Sequence, residues 1–259
     1  MDRLKAADLF SAAGVLLDLD GVITPTADLH MHAWREMFTA LFAVHDVADP
    51  YTDDDYFRFL DGRKRYDGVA SVLASRGLQL PFGDPSDPPE AETVCGVGNR
   101  KNDVFFALLE RDGMAAYPGS LALLDRLDAA RVPMAVVSSS KNARAVLDAA
   151  GLTPRFPVIV DGVVAEQDAL RSKPAPDMFL DAAARLSVDP ARSVVVEDAL
   201  SGVEAGAAGR FGLVVGVDRG AGVEALRGAG ADVVVTDLAE LLPAGPDSPS
   251  AQHSPERPQ

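Results

Sequence analysis

The stretch Asp18-Leu19-Asp20-Gly21 places two carboxylates directly after a short apolar run, Gly14-Val15-Leu16-Leu17. Such a run is typical of a buried parallel strand, and glycine and proline follow it where a strand would end. Because side chains alternate along a strand, Asp18 and Asp20 begin on the same face. Two buried carboxylates repel each other, so this position requires a cation or a proton. A hard divalent cation such as Mg²⁺, which prefers oxygen ligands, would meet that requirement.

The same motif allows two other interpretations. One is a turn in which an aspartate caps the following helix, and D-x-D-G alone does not separate this turn from a metal site. The other is a calcium loop, which also begins with alternating aspartates. Val22, Ile23 and Thr24 supply none of the later calcium ligands, and an apolar strand stands where that motif has a helix. The calcium interpretation is therefore disfavoured.

Three further polar stretches follow predicted strands and should reach the same edge of the sheet, where α/β folds bind ligands. The stretch 138–142, Ser-Ser-Ser-Lys-Asn, begins a helix whose amino terminus favours phosphate, although an ordinary serine cap explains it more simply. Two prolines make Lys173 rigid, although a solvated surface lysine is the simpler explanation. Glu197 and Asp198 add carboxylates, which together with an anionic ligand make a natural Mg²⁺ site.

Short apolar strands alternate with helical patterns from residue 114 onward. The strands are predicted at 134–137, 158–160, 194–196, 213–217 and 233–235, and the helices at 121–130, 143–150, 177–186, 201–208 and 223–228. This alternation predicts an α/β fold with a doubly wound parallel sheet, to which the first strand also belongs.

A different pattern fills residues 27–114, where apolar residues recur at helical spacing and no strand is evident. The helical segments are predicted at 29–44, 56–60, 66–75 and 101–111. We therefore predict a core domain formed by residues 1–26 and 115–242, and an all-helical cap domain formed by residues 27–114. The tail, residues 243–259, is rich in proline and has no apolar period, which predicts disorder.

Composition argues against several classes of function. The formal charge of −15 over 259 residues disfavours nucleic acid, whose phosphates attract lysine and arginine. A small phosphorylated substrate needs only a local cluster of positive charge. The sequence has no apolar run of membrane-spanning length, and its amino terminus lacks a secretory signal. The single cysteine, Cys95, fits a reducing compartment, so we expect a cytoplasmic protein.

Taken together, the four polar stretches resemble those of the haloacid dehalogenase superfamily of phosphotransferases, over essentially all of residues 14–242. The resemblance implies a parallel sheet core with an inserted helical cap. It implies that Asp18 is a nucleophile that becomes an aspartyl phosphate, and that Asp20 is the general acid and base. Ser138 and Lys173 would then hold the phosphoryl group.

The same resemblance implies a Mg²⁺ site. Its ligands would be the acidic pair Glu197 and Asp198, together with Asp18 and the backbone carbonyl oxygen of Asp20. Mg²⁺ is therefore the expected cofactor.

Longer stretches resemble the β-phosphoglucomutase family within that superfamily. They are residues 18–24, 26–27, 30, 33–34, 62, 65, 100–103, 138–143 and 172–177. This closer resemblance adds Thr26 to the catalytic residues. It also implies substrate-binding roles for His30, Gly62, Arg65, Lys101, Asn102, Ser140, Lys141 and Asn142. For His30, an ordinary polar position on the first cap helix is an equal alternative.

The resemblance implies an enzyme that interconverts β-D-glucose 1-phosphate and glucose 6-phosphate through a glucose 1,6-bisphosphate intermediate. Its partner would be a small phosphorylated sugar, without nucleic acid or membrane, and we expect a monomer while leaving oligomers open. A phosphatase is the alternative, since water can intercept the aspartyl phosphate, and a non-catalytic binding module ranks last because the core residues are all present. Pro25 and Asp61 depart from the family pattern, which has an aspartate and a lysine there, so the exact sugar stays open.

Overall fold

Parallel strands form one sheet in the part of the chain that the computed structural model describes, residues 6–60 and 65–243. The strands are β1 (Gly14–Leu17), β2 (Met134–Val137), β3 (Val158–Val160), β4 (Ser193–Glu197), β5 (Leu213–Val217) and β6 (Val233–Val235). They lie in the order β3-β2-β1-β4-β5-β6. The first strand is central, because Val15 pairs with Met134 on one side and Val194 on the other. This arrangement confirms the predicted doubly wound sheet.

Across residues 26–112, the described part of the chain forms helices and no strand. These helices are α1 (Thr26–Val44), α2 (Asp53–Asp55), α3 (Arg65–Ser75) and α4 (Val94–Asp112), with a π-helical turn at Tyr56–Leu60. Their apolar faces meet in a separate core that includes Phe38, Val72 and Val97. The inserted helical cap is thus confirmed, whereas its boundaries at residues 27 and 114 stay predictions.

Helices cover both faces of the sheet, which is why the strands consist mainly of apolar residues. They are α5 (Pro118–Ala130), α6 (Ala143–Ala149), α7 (Gly162–Gln167), α8 (Asp177–Leu186), α9 (Leu200–Ala208) and α10 (Val223–Ala229). Leu124 of α5 belongs to the same buried cluster as Leu17 of β1. Phe179 of α8 and Val203 of α9 belong to the cluster of Leu16. Successive residues of β1 therefore face opposite layers, as the alternation of a strand requires.

Helices α4 and α7 are among those that differ from the prediction, and a capping side chain explains the difference in each of them. Helix α4 begins well before the predicted residue 101, because the Thr93 hydroxyl accepts a hydrogen bond from the Gly96 amide at 2.9 Å. Helix α7 is not predicted from the sequence. It begins after Asp161, whose carboxylate accepts hydrogen bonds from two amides of the first turn.

Short 3₁₀ helices complete the described chain at Ala6–Ser11, Thr153–Arg155, Pro190–Arg192 and Leu238–Leu241. Among the described residues, each helix lacks the length or the apolar character needed to cross a membrane. The predicted tail, residues 243–259, lies outside the described residues except for Pro243.

A buried ion pair joins two helices of the cap. Arg76, which directly follows α3, donates hydrogen bonds to both carboxylate oxygens of Asp55, at 2.7 and 2.5 Å. The two side chains are only 7% and 4% exposed. Burial would raise the pKa of Asp55, but the hydrogen bonds from Arg76 and from the Thr52 amide hold it below its ordinary value. The pair is therefore ionised and contributes to the packing of the cap.

We expect Asp55→Ala to lower the free energy of unfolding by about 3 kcal/mol, because Asp49, which is exposed, is the one ionic partner that Arg76 would keep among the described residues. Asp54→Ala, which removes an exposed carboxylate from the same helical turn, is the matched control and should cost less than about 1 kcal/mol. Urea denaturation measures both values. Similar losses in the two variants would contradict a stabilising role for the buried pair.

Candidate active site

Asp18 directly follows the central strand and begins a tight loop. Its amide donates to the Val196 carbonyl of β4 at 2.9 Å, so the loop starts within the sheet ladder. Gly21 has a φ of +80°, and a Cβ atom there would lie 1.9 Å from an oxygen of Asp198. Glycine is required because no larger residue fits this backbone conformation and this close approach. The loop therefore brings the carboxyl ends of β1 and β4 into contact.

One buried lysine links three strand ends. The Nζ atom of Lys173 donates to Asp18 Oδ1 and Glu197 Oε1, both at 2.6 Å, and to the Val137 carbonyl at 2.9 Å. Burial would lower the pKa of Lys173, but the two carboxylates raise it above its ordinary value. Lys173 is therefore a permanent cation between the ends of β1, β2 and β4. The alternative interpretation, a solvated lysine on the surface, is wrong.

The acidic residues form one cluster beside this lysine. Single oxygen atoms of Asp18, Glu197 and Asp198 all lie within 4.8 Å of one another. Burial raises the pKa of Asp18 well above its ordinary value, although Lys173 opposes the shift. Burial, together with nearby Glu197 and Asp20, raises the pKa of Asp198 to about 7. The cluster offers only oxygen donors and more negative charge than Lys173 balances, so it could hold a hard divalent cation.

Glu197 is held more tightly than the other acidic side chains. Its Oε1 atom accepts from Lys173, and its Oε2 atom accepts from the Asp198 and Ala199 amides at 2.9 and 3.0 Å. The backbone of α9 approaches so closely that a Cβ atom on Gly202 would lie 1.9 Å from the carboxyl carbon of Glu197. These contacts fix the Glu197 carboxylate in one orientation.

Asp20 has different partners from Asp18. The Thr26 hydroxyl donates to Asp20 Oδ1, and the Ser138 hydroxyl donates to Oδ2 at 3.2 Å. Burial raises the pKa of Asp20, although both hydrogen bonds oppose the shift. A carboxyl group with a raised pKa can release and accept a proton near neutral pH. The structure thus brings Thr26 and Ser138, both predicted from the sequence, to this second carboxyl group.

Two predicted cap residues form a buried pair next to the core. The Nζ atom of Lys101 lies 2.6 Å from Nδ1 of His30. It also lies 5.2 Å from the ring centre of Trp34 and 4.9 Å from that of Phe105. Burial, with the charge of Arg65, lowers the pKa of Lys101 to about 7. Burial and these two cations also lower the pKa of His30 well below its ordinary value, so His30 is neutral.

A second set of predicted residues bridges cap and core directly. Asn102 of the cap accepts hydrogen bonds at its side-chain oxygen from Arg65 Nη2 at 3.3 Å and from Asn142 Nδ2 at 2.8 Å. Asn142 belongs to the core stretch after β2, and its backbone amide donates to the Ser140 hydroxyl at 3.1 Å. Arg65, Asn102, Asn142 and Ser140 therefore lie in one chain of contacts across the cleft.

Among the predicted substrate-binding residues that the structure describes, Lys141 has a partner outside this chain of contacts. Lys141 is exposed and donates to Glu166 of α7 at 2.6 Å. Gly62, like Asp61, lies outside the described residues. The sequence did not indicate the partner of Lys141, because α7 itself was not predicted.

A cavity of about 280 Å³ lies between the core and the cap. Its lining residues come from both parts of the chain and are Asp18, Asp20, Ala27, His30, Tyr56, Ser139, Lys173, Glu197, Asp198, Ala199 and Ser201. Sequence reasoning assigned no role in the site to five of these residues: Ala27, Tyr56, Ser139, Ala199 and Ser201. Tyr56 lies in the π-helical turn, a feature that often marks functional sites but has no clear sequence signal.

A cleft with a charged lysine and carboxylates on one side and a helical cap on the other suits a small phosphorylated molecule. This protein is thus of the class of α/β phosphoryl-transfer enzymes with a cap. The chain belongs to the haloacid dehalogenase-like hydrolase family, whose sequence pattern matches residues 12–210. The resemblance of the four polar stretches to that superfamily is confirmed.

Within this family, the chain is similar to several proteins whose activities are known. The chain is 50% identical to a β-phosphoglucomutase of Mycobacterium bovis over 238 residues, which cover 88% of this chain and 90% of the relative. It is 32% identical to the validoxylamine A 7′-phosphate phosphatase of Streptomyces hygroscopicus subsp. limoneus, over 87% of this chain and 94% of that protein. The crystal structure of a Clostridium difficile β-phosphoglucomutase superposes with a TM-score of 0.68 and 26% identity, covering 89% and 93% of the two chains.

The buried amine of Lys101 predicts a particular pH dependence of stability. Folding lowers the pKa of Lys101 to about 7, so above that pH the unfolded chain binds more protons than the folded chain. Wild-type stability should therefore rise with pH between 7 and 10 because of this group. We expect the stability of Lys101→Met relative to wild type to fall over that range, by up to about 1.4 kcal/mol per pH unit. Denaturation of both proteins at pH 7 and pH 10 tests this, and a constant difference would contradict it.

Proposed function

We propose that this protein interconverts β-D-glucose 1-phosphate and glucose 6-phosphate through a glucose 1,6-bisphosphate intermediate. The observation that carries the proposal is the contrast between the two aspartates of the first loop. Asp18 contacts the Lys173 cation, whereas Asp20 contacts neutral hydroxyl groups. One is arranged as a nucleophile and the other as an acid and base. The 50% identity to a mycobacterial β-phosphoglucomutase supports the same reaction.

We propose that the acidic cluster holds Mg²⁺ through Asp18, Glu197 and Asp198, with the backbone carbonyl oxygen of Asp20 as a further ligand. The all-oxygen donor set supports this choice. When bound, Mg²⁺ would neutralise negative charge on the transferring phosphoryl group and on the carboxylates around it. Glu197, one of these proposed ligands, is held in place by hydrogen bonds from Lys173 and from two backbone amides.

In the proposed mechanism, a carboxylate oxygen of Asp18 attacks phosphorus in line with the leaving sugar oxygen. Lys173 donates to Oδ1 of Asp18, so the other oxygen is the one that turns toward phosphorus. The bond from phosphorus to the sugar oxygen breaks as the bond to Asp18 forms. The Lys173 ammonium would stabilise the negative charge on the phosphoryl oxygens, and we assign Ser138 the same role by family resemblance.

Asp20 moves the proton in each half of the reaction. It takes the proton of the sugar C6 hydroxyl as that oxygen accepts the phosphoryl group from Asp18, which yields the bisphosphate. After the bisphosphate turns around, Asp20 returns the proton to the C1 oxygen as the phosphoryl group at C1 moves to Asp18. Thr26 orients Asp20 through its hydroxyl group. The raised pKa of Asp20 suits both directions of proton transfer.

The cap would bind the part of the substrate that does not react and would exclude water. Arg65, Asn102 and Asn142 already connect the two sides of the cleft and are suited to grip the distal phosphate or sugar hydroxyls. Ser140, Lys141 and Gly62 would complete this region, with Lys101 and His30 at the closure contact: we assign these roles by family resemblance. We place the cap at residues 27–114 and the core at 1–26 and 115–242.

A phosphatase is the second candidate, since one relative at 32% identity carries that activity in its name. In a phosphatase, water would take the phosphoryl group from Asp18. The direct bridge from Asn102 to Asn142 across the cleft favours the mutase, because such closure limits access of water. We further propose a cytoplasmic monomer without nucleic-acid partners, in keeping with the formal charge of −15.

The product distribution tests the proposal. In this test, the protein is incubated with Mg²⁺, β-D-glucose 1-phosphate and a trace of glucose 1,6-bisphosphate. The quantities to be measured are glucose 6-phosphate and free phosphate. The mutase should give glucose 6-phosphate with little free phosphate. A sample with excess chelator should lose nearly all turnover. Free phosphate as the main product would assign the protein to the phosphatases instead.

Asp18→Asn should abolish phosphoenzyme formation while leaving the protein folded. The amide cannot act as the nucleophile, so we expect turnover to fall by at least about 1,000-fold. Rapid-quench detection of an acid-stable, base-labile phosphoenzyme measures the first effect. Asp161→Asn is a matched control, since Asp161 also ends a strand but caps α7 instead of lining the cleft. Normal phosphorylation of Asp18→Asn would remove Asp18 from the mechanism.

A further inference from the structure

The loop that follows Asp20 is held from outside through its backbone. The carbonyl oxygens of residues 21, 22 and 23 each accept one hydrogen bond from a distant part of the chain. In that order, the donors are Arg219 Nε at 2.8 Å, the Ser120 hydroxyl at 2.6 Å and the Tyr117 amide at 3.0 Å. Ser120 and Tyr117 belong to the chain that returns from the cap, whereas Arg219 comes from the loop after β5.

Arg219 contacts both connections between the core and the cap. Its guanidinium carbon lies 3.9 Å from the centre of the Tyr117 ring, well within the range of a cation–π interaction. Tyr117 ends the chain that leaves the cap, and Gly21 lies in the chain that enters it. A second nitrogen of Arg219 donates to the Thr236 carbonyl at 3.1 Å. The same guanidinium therefore joins the entering connection, the returning connection and the core.

The backbone turn that carries Arg219 is held in place by hydrogen bonds. The amide of the preceding Asp218 donates to the Val235 carbonyl at 2.7 Å, which extends the sheet ladder. The Asp218 carboxylate accepts from the Gly220 and Gly222 amides at 2.9 and 3.0 Å. Arg219 is thus presented by a turn that is closed on both sides.

The Gly21 carbonyl, which accepts the hydrogen bond from Arg219, lies next to Asp20, the residue proposed to transfer the proton. Gly21 directly follows Asp20, and its backbone lies against Asp198 so closely that a Cβ atom would not fit. Its amide donates to the Thr24 carbonyl at 2.8 Å, which closes the loop on itself. A shift of the Gly21 peptide would therefore be transmitted to Asp20 and to its contact with Thr26.

We propose that Arg219 is a positioning residue for phosphoryl transfer, which keeps Asp20 aligned by fixing the Gly21 peptide against both connections to the cap. Arg219 touches no reacting atom. Its effect should be confined to steps in which Asp20 exchanges a proton with a sugar oxygen, so this inference rests on the function proposed above. Displacement of a catalytic group by about 1 Å can cost on the order of 100-fold in rate.

The test compares two phosphoryl donors in wild type and Arg219→Met. The substitution keeps an aliphatic stem beside Tyr117 but removes the donors to Gly21 and Thr236. Phosphorylation of Asp18 by acetyl phosphate releases acetate, a leaving group that needs no proton from Asp20. We expect kcat for the sugar phosphate to fall about 10- to 100-fold with little change in KM. Phosphoenzyme formation from acetyl phosphate, followed by rapid quench, should stay within about twofold of wild type.

Two further variants complete the design. Arg227→Met is the matched control, because Arg227 is an exposed arginine of α10 whose contact is Glu224 at 3.6 Å. It should leave both rates unchanged. Arg219→Lys can still donate to the Gly21 carbonyl but cannot also reach Thr236, so it should recover part of the lost kcat. Thermal unfolding of each variant shows whether it is folded.

The outcomes separate the two proposals. A selective loss of sugar turnover in Arg219→Met, partly recovered in Arg219→Lys, supports the positioning role. Equal losses with both donors, or no loss, overturn it while the proposed function stands. If wild type is phosphorylated by acetyl phosphate but forms no glucose 6-phosphate, the proposed function fails, and the role of Arg219 fails with it. Should Arg219→Met not fold, the same comparison on Arg219→Lys decides, with a smaller selective loss expected.

Discussion

The site depends on a single buried cation that keeps several negative side chains together. Lys173 contacts the carboxylates of Asp18 and Glu197 and a carbonyl group at the end of β2. Without it, carboxylates from β1 and β4 would face each other in a buried environment, where their repulsion is strong. Lys173 neutralises only part of the negative charge of these carboxylates. The negative charge that is left explains why the cluster is suited to a divalent cation. Stability and binding thus have the same electrostatic origin.

The two aspartates of the first loop differ in chemistry because their neighbours differ. Asp18 accepts a hydrogen bond from the Lys173 ammonium, which opposes the rise in its pKa that burial causes. Asp20 contacts the hydroxyl groups of Thr26 and Ser138, and burial raises its pKa. Two residues of the same type, separated by Leu19, can therefore perform opposite tasks. Thr26 begins the first cap helix, so the orientation of Asp20 is also linked to the position of the cap.

Two basic side chains of the cap, Lys101 and His30, are buried beside this charged core. Lys101 is packed between aromatic rings and next to a neutral His30, and burial lowers its pKa to about 7. Arg65 and Asn102 instead reach toward the core, where Asn142 meets them. Where a cap excludes water from a cleft, every electrostatic interaction within that cleft becomes stronger. This property suits a transfer between sugar oxygens more than a transfer to water.

The sequence by itself determined the order of the strands along the chain and the helical insertion. It also determined the arrival of Asp18, Ser138, Lys173 and the 197–198 pair at one sheet edge. Apolar runs and turn residues are local signals, and parallel strands necessarily align their carboxyl ends. Tertiary structure alone decided that Lys101 pairs with His30, that Lys141 turns to Glu166, that Tyr56 lines the cleft and that Arg219 holds the Gly21 peptide. These contacts join residues distant in sequence, and they depend on how the cap and the loops pack against the sheet, which no local pattern encodes.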